Sequence, residues 1–283
     1  MSRTLKYIWH HPLARKNRLG AIRRYFSWQI GSRILRYPII MPFVEKSVLV
    51  IDNGMKGATG NIYCGLHEFA DMAFLLHFLR ESDDFFDLGA NIGSYTVLAS
   101  SVVGASTISV EPLPGTHSLL LRNIWANEVG SKVLTIQAAC SSEPGELLMT
   151  ADLDCMNHVV SGDYVGSTTK VPVSTIDSLL SNRTPSCWKV DIEGHELNAL
   201  KGAVSAITSA KLQAVIMEGD NPKIQQWMTD AGFRLMCYDP FKRLLTSDPT
   251  SHDSKNHLWI RDAAFVQNRC KTARKISVVG QEV

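Results

Sequence analysis

The middle of the chain alternates short apolar runs with amphipathic segments. The runs have the length of buried strands, and the segments between them carry apolar residues at helical spacing. Such alternation predicts an α/β fold with a mostly parallel sheet that helices cover on both faces. The predicted strands are residues 84–88, 107–111, 133–139, 187–192 and 213–218. The predicted helices are residues 94–103, 116–126, 195–208 and 222–231.

Shorter strands are predicted around this core. Residues 146–150, 157–160 and 170–173 form antiparallel strands in the fourth crossover, and residues 233–237, 243–246 and 257–260 close the sheet. After Arg269 the chain becomes polar, which predicts a frayed tail over residues 269–283. The core domain is therefore predicted over residues 81–268.

Residues 1–46 are predicted as a basic N-terminal extension. A helix over residues 13–35 has one apolar stripe, while arginines and lysines occupy its other faces. The stripe consists of Leu19, Ile22, Phe26, Ile30 and Ile34. Two interpretations remain open. The stripe packs against the body of the protein, or it docks on an anionic membrane surface, as basic amphipathic helices do.

Between the extension and the core domain, residues 47–80 are predicted as a hairpin and a helix. A strand at 47–51 precedes Asn53-Gly54 and the glycine-rich residues 57–60, which have the composition of turns. Residues 66–79 are apolar on most sides, which predicts a well-buried helix.

Charge is divided unevenly along the chain. The net charge is only +2, but the first 46 residues hold ten basic residues against one acidic residue, and the remainder carries −7. An acidic body argues against a general nucleic-acid binder. Six cysteines stand singly, and no apolar run has the length of a bilayer crossing or the pattern of a signal peptide. We therefore expect a cytoplasmic protein whose extension contacts the inner membrane surface, if any part does.

A strand, a small-residue turn and a helix start follow one another over residues 85–94. Gly89 and Gly93 allow the backbone to bend tightly and to approach a ligand, while the helix start presents free N–H groups. Asn91 stands where a dinucleotide-binding turn has its second glycine, so a pyrophosphate would meet a side chain. The turn therefore favours a ligand with a carboxylate, and it disfavours a nicotinamide-dependent oxidoreductase.

Two acidic residues complete this predicted cofactor cradle. Glu111 ends the second strand, 22 residues after Gly89, where an acid accepts hydrogen bonds from both ribose hydroxyls. Asp87 ends the first strand and is predicted to hold an ammonium group, directly or through water. A ligand with an ammonium, a carboxylate, a ribose and an adenine is S-adenosylmethionine.

A third group of polar residues gathers at the end of the fourth predicted strand. Lys189, Asp191, Glu193 and His195 follow one another there, and open α/β sheets place ligands at this end of their strands. Capping of the helix start is the alternative role for Glu193 and Glu196. For Lys189 the alternative is neutralisation of these acids.

Five segments of the chain combine into one pattern: DLGANIGSYT (87–96), VEPLP (110–114), RNIWAN (122–127), KVDIEGHELNALKGA (189–203) and VIMEGD (215–220). They resemble the FkbM family of S-adenosylmethionine-dependent methyltransferases over about half of the chain. The resemblance implies a Rossmann-like class I methyltransferase fold with a seven-stranded sheet. It also implies methyl transfer to a hydroxyl of a sugar, a glycan, a glycolipid or a secondary metabolite.

The resemblance also implies roles for single residues. Asp87, Gly89, Asn91 and Gly93 would form the cofactor cradle, Glu111 would bind the ribose, residues 189–196 would form the floor of the site, and Ala139 would border the adenine.

Methyl transfer from a sulfonium is an in-line displacement, so a base need only remove the proton of the alcohol. Asp191 is the first candidate for this base, and His195, with an ordinary pKa of about 6.5, is the second. Lys189 completes the candidate catalytic set, and the candidates for contact with the acceptor are Glu193, Glu218, Asn157 and His158. No metal is expected, although Asp191, Glu193 and Glu218 could form a carboxylate cluster. The alternative function is a nucleic-acid methyltransferase whose basic arm binds phosphate.

Overall fold

The computed structural model of the protein describes residues 3–35, 37–52, 55–151, 157–160, 164–219, 221–247 and 256–283. The helices are α1 (Arg3–His10), α2 (Pro12–Lys16), α3 (Arg18–Ile34), α4 (Lys56–Cys64), α5 (Phe69–Phe78), α6 (Ser94–Val97), α7 (Pro114–Ala126), α8 (Ile176–Leu180), α9 (Glu196–Lys201), α10 (Pro222–Asp230) and α11 (Ala263–Thr272). The strands are β1 (Ile39–Pro42), β2 (Val48–Ile51), β3 (Asp84–Leu88), β4 (Ser106–Val110), β5 (Val133–Ile136), β6 (Ala139–Cys140), β7 (Gly145–Thr150), β8 (Thr168–Ser174), β9 (Cys187–Val190), β10 (Ala214–Glu218), β11 (Arg234–Asp239), β12 (Leu244–Thr246), β13 (Asn256–Ile260), β14 (Ser277–Val278) and β15 (Gln281–Glu282).

An eight-stranded sheet in the order β12-β11-β13-β10-β9-β3-β4-β5 forms the centre of the molecule. Strands β10, β9, β3, β4 and β5 are parallel, while β13 runs antiparallel between β10 and β11. Neighbouring residues of β3 face opposite cores, with Phe85 in one apolar cluster and Phe86 in the other. The α/β prediction is therefore confirmed. The sheet has the seven expected strands, and the short β12 pairs with β11 as an eighth at one edge.

A small three-stranded sheet in the order β6-β8-β7 fills the fourth crossover. The strand predicted at 133–139 is divided, because β5 ends at Ile136 and Ala139–Cys140 pairs with β8 instead. The strand predicted at 157–160 contributes only a single bridge, between Val159 and Met149. This small sheet brings Met149 over the carboxyl ends of the central strands.

The N-terminal segment is built into the main core of the protein. The helix predicted over 13–35 is broken at Asn17, whose side chain accepts a hydrogen bond from the backbone of Gly20 and starts α3. Ile8, Leu13 and Trp28 belong to the same buried cluster as the helix α5. Residues 1–46 therefore share a core with the rest of the chain.

Four of the five residues in the apolar stripe of α3 face outward. Leu19 is 83% exposed, Phe26 51%, Ile30 59% and Ile34 71%, whereas Ile22 is half-buried. The opposite face packs inward through Ala21 and Trp28, and Arg24 donates hydrogen bonds to the carbonyl oxygens of Ile62 and Tyr63 in α4. The interpretation that the stripe packs against the body is therefore wrong, because tertiary contacts are made by the other face.

Two further local predictions are corrected by close packing at glycines. The glycine-rich residues 57–60 lie in α4 rather than in turns, and a Cβ at Gly60 would lie 2.3 Å from Nδ1 of His67. The helix predicted over 195–208 ends at Lys201. The next residue, Gly202, packs against the backbone of Ser141, and a Cβ on Gly202 would lie 2.3 Å from the carbonyl oxygen of Ser141. The predicted Asn53-Gly54 turn lies outside the described residues.

The C-terminal residues are ordered, contrary to the predicted frayed tail over 269–283. Helix α11 is followed by the hairpin β14–β15, and Arg269 forms a largely buried ion pair with Asp83. Ile276, Val278 and Val283 are buried in the main core. The segment is polar in composition, but four of its apolar residues, Cys270, Ile276, Val278 and Val283, are buried.

None of the helices in the described ranges combines the length and the hydropathy that a membrane crossing requires.

Candidate functional site

A crevice opens at the carboxyl ends of β3, β4 and β9. Open α/β sheets place their ligands in crevices at this end of the strands. The predicted cofactor residues in its wall are Gly89, Asn91, Glu111 and Ala139. The predicted catalytic or acceptor residues in its wall are Asn157, Asp191, Glu193 and His195. The fold therefore brings most of the predicted site together from four separate turns.

The glycine turn after β3 is held by backbone contacts that exclude side chains. Gly89 has φ +80°, and a Cβ on it would lie 1.8 Å from the carbonyl oxygen of Asp191. Gly93 has φ +89° and would place its Cβ 2.5 Å from Leu120. Asn91 also has a positive φ, of 52°, and its Oδ1 accepts a hydrogen bond from the backbone N–H of Ile92. Only glycine fits at 89, so the backbone there is open to a ligand.

Glu111 is buried in the crevice wall with both carboxylate oxygens in use. One accepts a hydrogen bond from the N–H of Asn91 at 3.1 Å, and the other accepts from the N–H of Leu113 at 3.0 Å. Burial raises the pKa of Glu111 to about 7, although the two backbone donors lower it. Each carboxylate oxygen can accept a further hydrogen bond, so a pair of ribose hydroxyls fits here.

Asp87 lies beneath the crevice wall rather than in it. Its carboxylate is 2% exposed and accepts a hydrogen bond from Oγ1 of Thr96 at 2.6 Å, and Thr96 in turn contacts Ser109. Burial raises the pKa of Asp87 to about 6. In this position Asp87 fixes the start of α6 beside the glycine turn. Contact of Asp87 with an ammonium group, directly or through water, stays a prediction.

Apolar side chains form a further part of the crevice wall, most of which the sequence analysis missed. This apolar wall is formed by Leu113, Cys140, Met149 and Val159. Ala139 lies in this wall, as predicted for a residue beside an adenine. His158 does not line the crevice, because its backbone N–H is bound to Thr150 and its ring lies against Tyr164. The V-E-P-L-P motif contains Leu113, but only the pairing of β6, β7 and β8 places the other three.

Carboxylates gather at the acceptor end of the crevice. Oxygens of Asp191, Glu193 and Glu218 lie within 4.8 Å of one another, and Glu218 stands just outside the crevice wall. Burial, followed by the hydrogen bond and charge of Asp191, raises the pKa of Glu218 to about 7. Nζ of Lys189 lies 2.7 Å from Oδ2 of Asp191, underneath this group. The predicted absence of a metal stays a prediction.

His195 takes part in a different set of contacts. Its Nε2 lies 3.0 Å from the hydroxyl of Ser141, and burial lowers its pKa below the ordinary value. The ring is therefore neutral at pH 7. It lines the crevice at the start of α9, away from the Lys189–Asp191 pair.

The turn after β9 is held by a residue that the sequence analysis treated as a helix cap. The buried carboxylate of Glu196 accepts hydrogen bonds from the N–H of Gly194 at 3.0 Å and of Ile192 at 3.4 Å. Glu193 and Gly194 both have positive φ values, of 50° and 90°. Glu196 thus stabilises a strained turn that carries two of the carboxylates.

Three more residues near Lys189 were missed altogether. Glu68 and Asp71, at the start of α5, and Asn256, at the start of β13, form a buried polar group below the carboxylates. No local pattern links Asn256 to Glu68 and Asp71, which precede it by 188 and 185 residues.

The crevice fits S-adenosylmethionine on the geometry alone. The glycine turn presents bare backbone, Glu111 offers carboxylate oxygens for a ribose, and the apolar wall accommodates an adenine. Asp191 and Glu193 line the same crevice, and carboxylates suit the positively charged sulfur of such a ligand.

Solved methyltransferase structures are similar to this protein in part. Precorrin-6y C5,15-methyltransferase from Geobacter metallireducens GS-15 aligns with a TM-score of 0.40 and 11% identity, over 79% of this chain and 97% of that chain. TrmK from M. capricolum, in complex with S-adenosyl-homocysteine, aligns with a TM-score of 0.39 and 8% identity, over 67% of this chain and 66% of that chain. Likenesses this distant add no argument about function.

Among curated proteins, the hexuronic acid methyltransferase AglP of Haloferax volcanii is 32% identical to this chain over 152 residues. The alignment covers 53% of this chain and 62% of the relative, so this chain spans less than two thirds of the relative's length.

The family model of the methyltransferase FkbM domain matches residues 87–235. The match begins with Asp87 at the glycine turn and includes Glu111, the turn after β9 and Glu218. It covers more than half of the chain. The protein therefore belongs to the FkbM methyltransferase family.

Proposed function

We propose that this protein transfers the methyl group of S-adenosylmethionine to a hydroxyl group of a sugar or glycan. The observation that carries the proposal is the position of Asp191, which lines the cofactor crevice and whose backbone packs directly on Gly89. A hydroxyl acceptor needs a nearby proton acceptor, because its proton must leave as the oxygen is methylated. The similarity to a hexuronic acid methyltransferase supports a sugar as the acceptor.

The residues of the crevice have separable roles in this proposal. The cofactor is S-adenosylmethionine, which supplies a methyl group on a positively charged sulfur. The glycine turn and Glu111 bind and orient it, and the apolar wall around Met149 excludes water from the adenine. Asp191, paired with Lys189, accepts the proton of the acceptor hydroxyl. Glu193 and Asn157 lie on the crevice wall, where they can contact the acceptor.

A nucleic-acid acceptor is less well supported. The carboxylates of Asp191, Glu193 and Glu218 would repel phosphate at the acceptor end of the crevice. The basic residues of the chain are concentrated in its first 46 positions. Binding of an NAD pyrophosphate is disfavoured by the side chain of Asn91 in the glycine turn.

Calorimetric titration tests the cofactor step. We expect S-adenosylmethionine and S-adenosylhomocysteine to bind and NAD not to bind. Glu111→Ala should abolish binding, whereas Glu146→Ala, which alters an exposed carboxylate on β7, should leave it unchanged. Failure of both sulfur compounds to bind would contradict the proposal.

The acceptor class is tested by incubation with methyl-¹³C-labelled cofactor and a panel of methyl glycosides, including a glucuronoside and a glucoside. A new O-methyl carbon resonance on a glycoside is the expected result. A labelled methyl group that appears only on RNA oligonucleotides would favour the alternative.

We propose further that the N-terminal segment places this cytoplasmic enzyme on the inner, anionic membrane surface. The support is the outward-facing apolar stripe of α3, Leu19, Phe26, Ile30 and Ile34. Exposed basic residues surround it, including Arg15, Arg18, Arg23 and Arg33, and residues 3–35 contain no acidic residue. An apolar ridge with a basic margin complements anionic headgroups above an acyl layer.

Vesicle co-sedimentation tests this contact. We expect binding to phosphatidylcholine vesicles with about 30% phosphatidylglycerol, little binding to phosphatidylcholine alone, and a loss of affinity with added salt. Phe26→Glu with Ile30→Glu should reduce binding about tenfold or more. The matched control is Trp125→Glu, an exposed apolar residue on α7 at 79% exposure. Equal binding by the α3 variant and the control would contradict the proposal.

A further inference from the structure

Lys189 is a buried cation beneath the acceptor end of the crevice. It is 1% exposed, and its nitrogen lies 2.7 Å from Oδ2 of Asp191. Burial alone would lower the pKa of Lys189, but the carboxylates of Asp191, Glu68 and Asp71 outweigh this effect and hold the pKa above its ordinary value. Lys189 therefore carries its charge at every pH at which the protein works.

Asn256 holds this ammonium group from the side opposite Asp191. Its Oδ1 lies 3.4 Å from Nζ of Lys189, and its Nδ2 donates to Glu68 and to Asp71, each at 2.9 Å. Two carboxylates can share only a hydrogen-bond donor, and the donor of the Asn256 side chain is its amide nitrogen. Glu68 and Asp71 therefore fix the orientation of the Asn256 amide. The amide oxygen is therefore kept on the lysine side.

Glu68 connects this amide to the cofactor cradle. Its second oxygen accepts a hydrogen bond from the hydroxyl of Tyr95 at 2.8 Å. The ring of Tyr95 lies 5.4 Å from Nζ of Lys189, within the range of a cation–π contact. Tyr95 belongs to α6, the helix that starts at the glycine turn, so the polar group joins α5, α6, β9 and β13.

The members of this group lie on both sides of the family domain. Glu68 and Asp71 precede residues 87–235, and Asn256 follows them. The family domain supplies Lys189 and Asp191, but the residues that hold Lys189 in place come from outside it.

The ion pair also decides where a proton lies among the neighbouring carboxylates. Oxygens of Glu218 and Asp191 lie within 4.8 Å of each other. Burial, with the hydrogen bond and charge of Asp191, raises the pKa of Glu218 to about 7. Lys189 lies 2.7 Å from Asp191, so its positive charge favours ionisation of Asp191 and places a proton shared by the two carboxyls on Glu218. Asp191 is then the carboxylate that can accept the proton of a hydroxyl.

We propose that Glu68 and Asn256 are positioning residues for methyl transfer, which hold the ammonium group of Lys189 against the carboxylate of Asp191. The inference rests on the proposed function, since it concerns the proton of a hydroxyl acceptor. In that step the acceptor oxygen forms a bond to the methyl carbon, the carbon–sulfur bond breaks with its electron pair left on sulfur, and the hydroxyl proton passes to Asp191 and then to water.

Ionisable groups from several elements surround the carboxylate pair. They are Asp87 on β3, Glu68 and Asp71 on α5, Tyr95 on α6, Lys189 on β9, Glu193 and His195 in the turn after β9, Glu196 on α9 and His257 on β13. Within this described set Lys189 is the group with a fixed positive charge. Loosening Lys189 should therefore make ionisation of the pair harder.

The test is a carboxyl titration in the full-length protein, which needs no acceptor. Glutamate labelled with ¹³C at its carboxyl carbon gives a resonance for Glu218, assigned by its loss in Glu218→Gln. We expect a wild-type midpoint near 7. In Asn256→Ala the midpoint should rise by about half a unit or more, which is a change in the ionisation constant of about threefold or more. Lys189→Met, which removes the charge itself, sets the upper limit of the rise.

Glu68→Gln separates positioning from a direct effect of charge. Removal of a negative charge would by Coulomb's law lower the midpoint of a neighbouring carboxyl, whereas release of Lys189 raises it. We expect a rise. Tyr95→Phe, which removes only the hydrogen bond to Glu68, should raise the midpoint in the same direction by a smaller amount and keeps the test available if Asn256→Ala fails to fold. Glu146→Gln, on the exposed strand β7, should not move it.

Cofactor affinity distinguishes the possible failures. Asn256→Ala, Glu68→Gln and Tyr95→Phe should each bind S-adenosylhomocysteine within about twofold of wild type, because none of these side chains lines the crevice. A wild-type protein that binds no cofactor would contradict the proposed function. Normal cofactor binding with an unmoved midpoint in Asn256→Ala, or a lowered midpoint in Glu68→Gln, would overturn the positioning role alone. Once an acceptor is identified, the pH–rate profile of methyl transfer can be measured for the same variants. The pH below which the rate falls should rise together with the titration midpoint of Glu218.

Discussion

The carbonyl oxygen of Asp191 occupies the place where a side chain on Gly89 would begin. The ideal Cβ position of residue 89 lies 1.8 Å from that oxygen, far inside a van der Waals contact. Strands β3 and β9 are paired next to this point, with Leu88 opposite Val190. The distance between the cofactor cradle and the carboxylate of Asp191 is thus set by backbone packing and not by flexible side chains.

Gly89→Ala is expected to destabilise the protein by more than about 2 kcal/mol and to weaken binding of S-adenosylmethionine at least tenfold. The new methyl group would push β3 and β9 apart, and the positive φ adds strain. Urea unfolding and calorimetric titration measure the two effects.

The matched control for this change is Gly115→Ala in α7, where a Cβ would meet no atom within 4 Å. Its free energy of unfolding should stay within about 1 kcal/mol of the wild-type value. Any change should be stabilising, because alanine favours a helix more than glycine does. A Gly89→Ala protein that behaves like the control would contradict the packing described here.

Cofactor affinity is expected to depend on the ionisation of Glu111. Its pKa is raised to about 7 in the folded protein, and only the ionised form offers both oxygens to ribose hydroxyls. The affinity should therefore fall as the pH drops below 7, by about tenfold per unit at the steepest. Binding at pH 6.5 should also release protons, which calorimetry detects as a heat that differs between buffers of different ionisation enthalpy. Glu111→Gln should bind weakly at every pH, and a steep pH dependence in that variant would assign the effect to another group.

Ionisation of Glu111 should also change the free energy of unfolding in the absence of cofactor. A carboxyl whose folded pKa is raised from 4.5 to about 7 favours folding below 4.5 and loses that contribution as the pH rises through 7. The free energy of unfolding of wild type, relative to that of Glu111→Gln, should therefore fall by about 3 kcal/mol between pH 4.5 and pH 8. Denaturation of both proteins across this range measures the difference, and because buried histidines contribute equally to both, they cancel. A constant difference would show that Glu111 ionises normally.

Removal of the C-terminal residues should unfold the protein rather than trim it. Arg269→Ala leaves Asp83 without its partner in a largely buried site and is expected to cost about 3 kcal/mol. Lys275→Ala, which breaks an exposed ion pair with Glu282, should cost less than about 1 kcal/mol.

Truncation after residue 268 should abolish cooperative unfolding, because Ile276, Val278 and Val283 are part of the main core. A truncated protein with the wild-type midpoint in urea would support a frayed tail after all.

Local sequence patterns were enough to predict the succession of strands and helices along the chain, the glycine turn after β3 and the acid that follows β4. Each of these is a local signal, since strand length, helical spacing and turn composition are set by neighbouring residues. Asp191, Glu193 and His195 were also placed correctly at the crevice, because the carboxyl ends of parallel strands meet at one edge of a sheet.

Three features depend on contacts between distant residues: the buried face of α3, the ordered C-terminal segment, and the meeting of Glu68 and Asn256 at Lys189. The pattern of α3 shows an apolar stripe, but it does not show that Trp28 and Arg24 on another face have partners in α4. Glu68 and Asn256 are 188 residues apart, and only the antiparallel placement of β13 beside β10 brings them together. Periodicity fixes the shape of an element, whereas the partner of a side chain depends on contacts between distant parts of the chain.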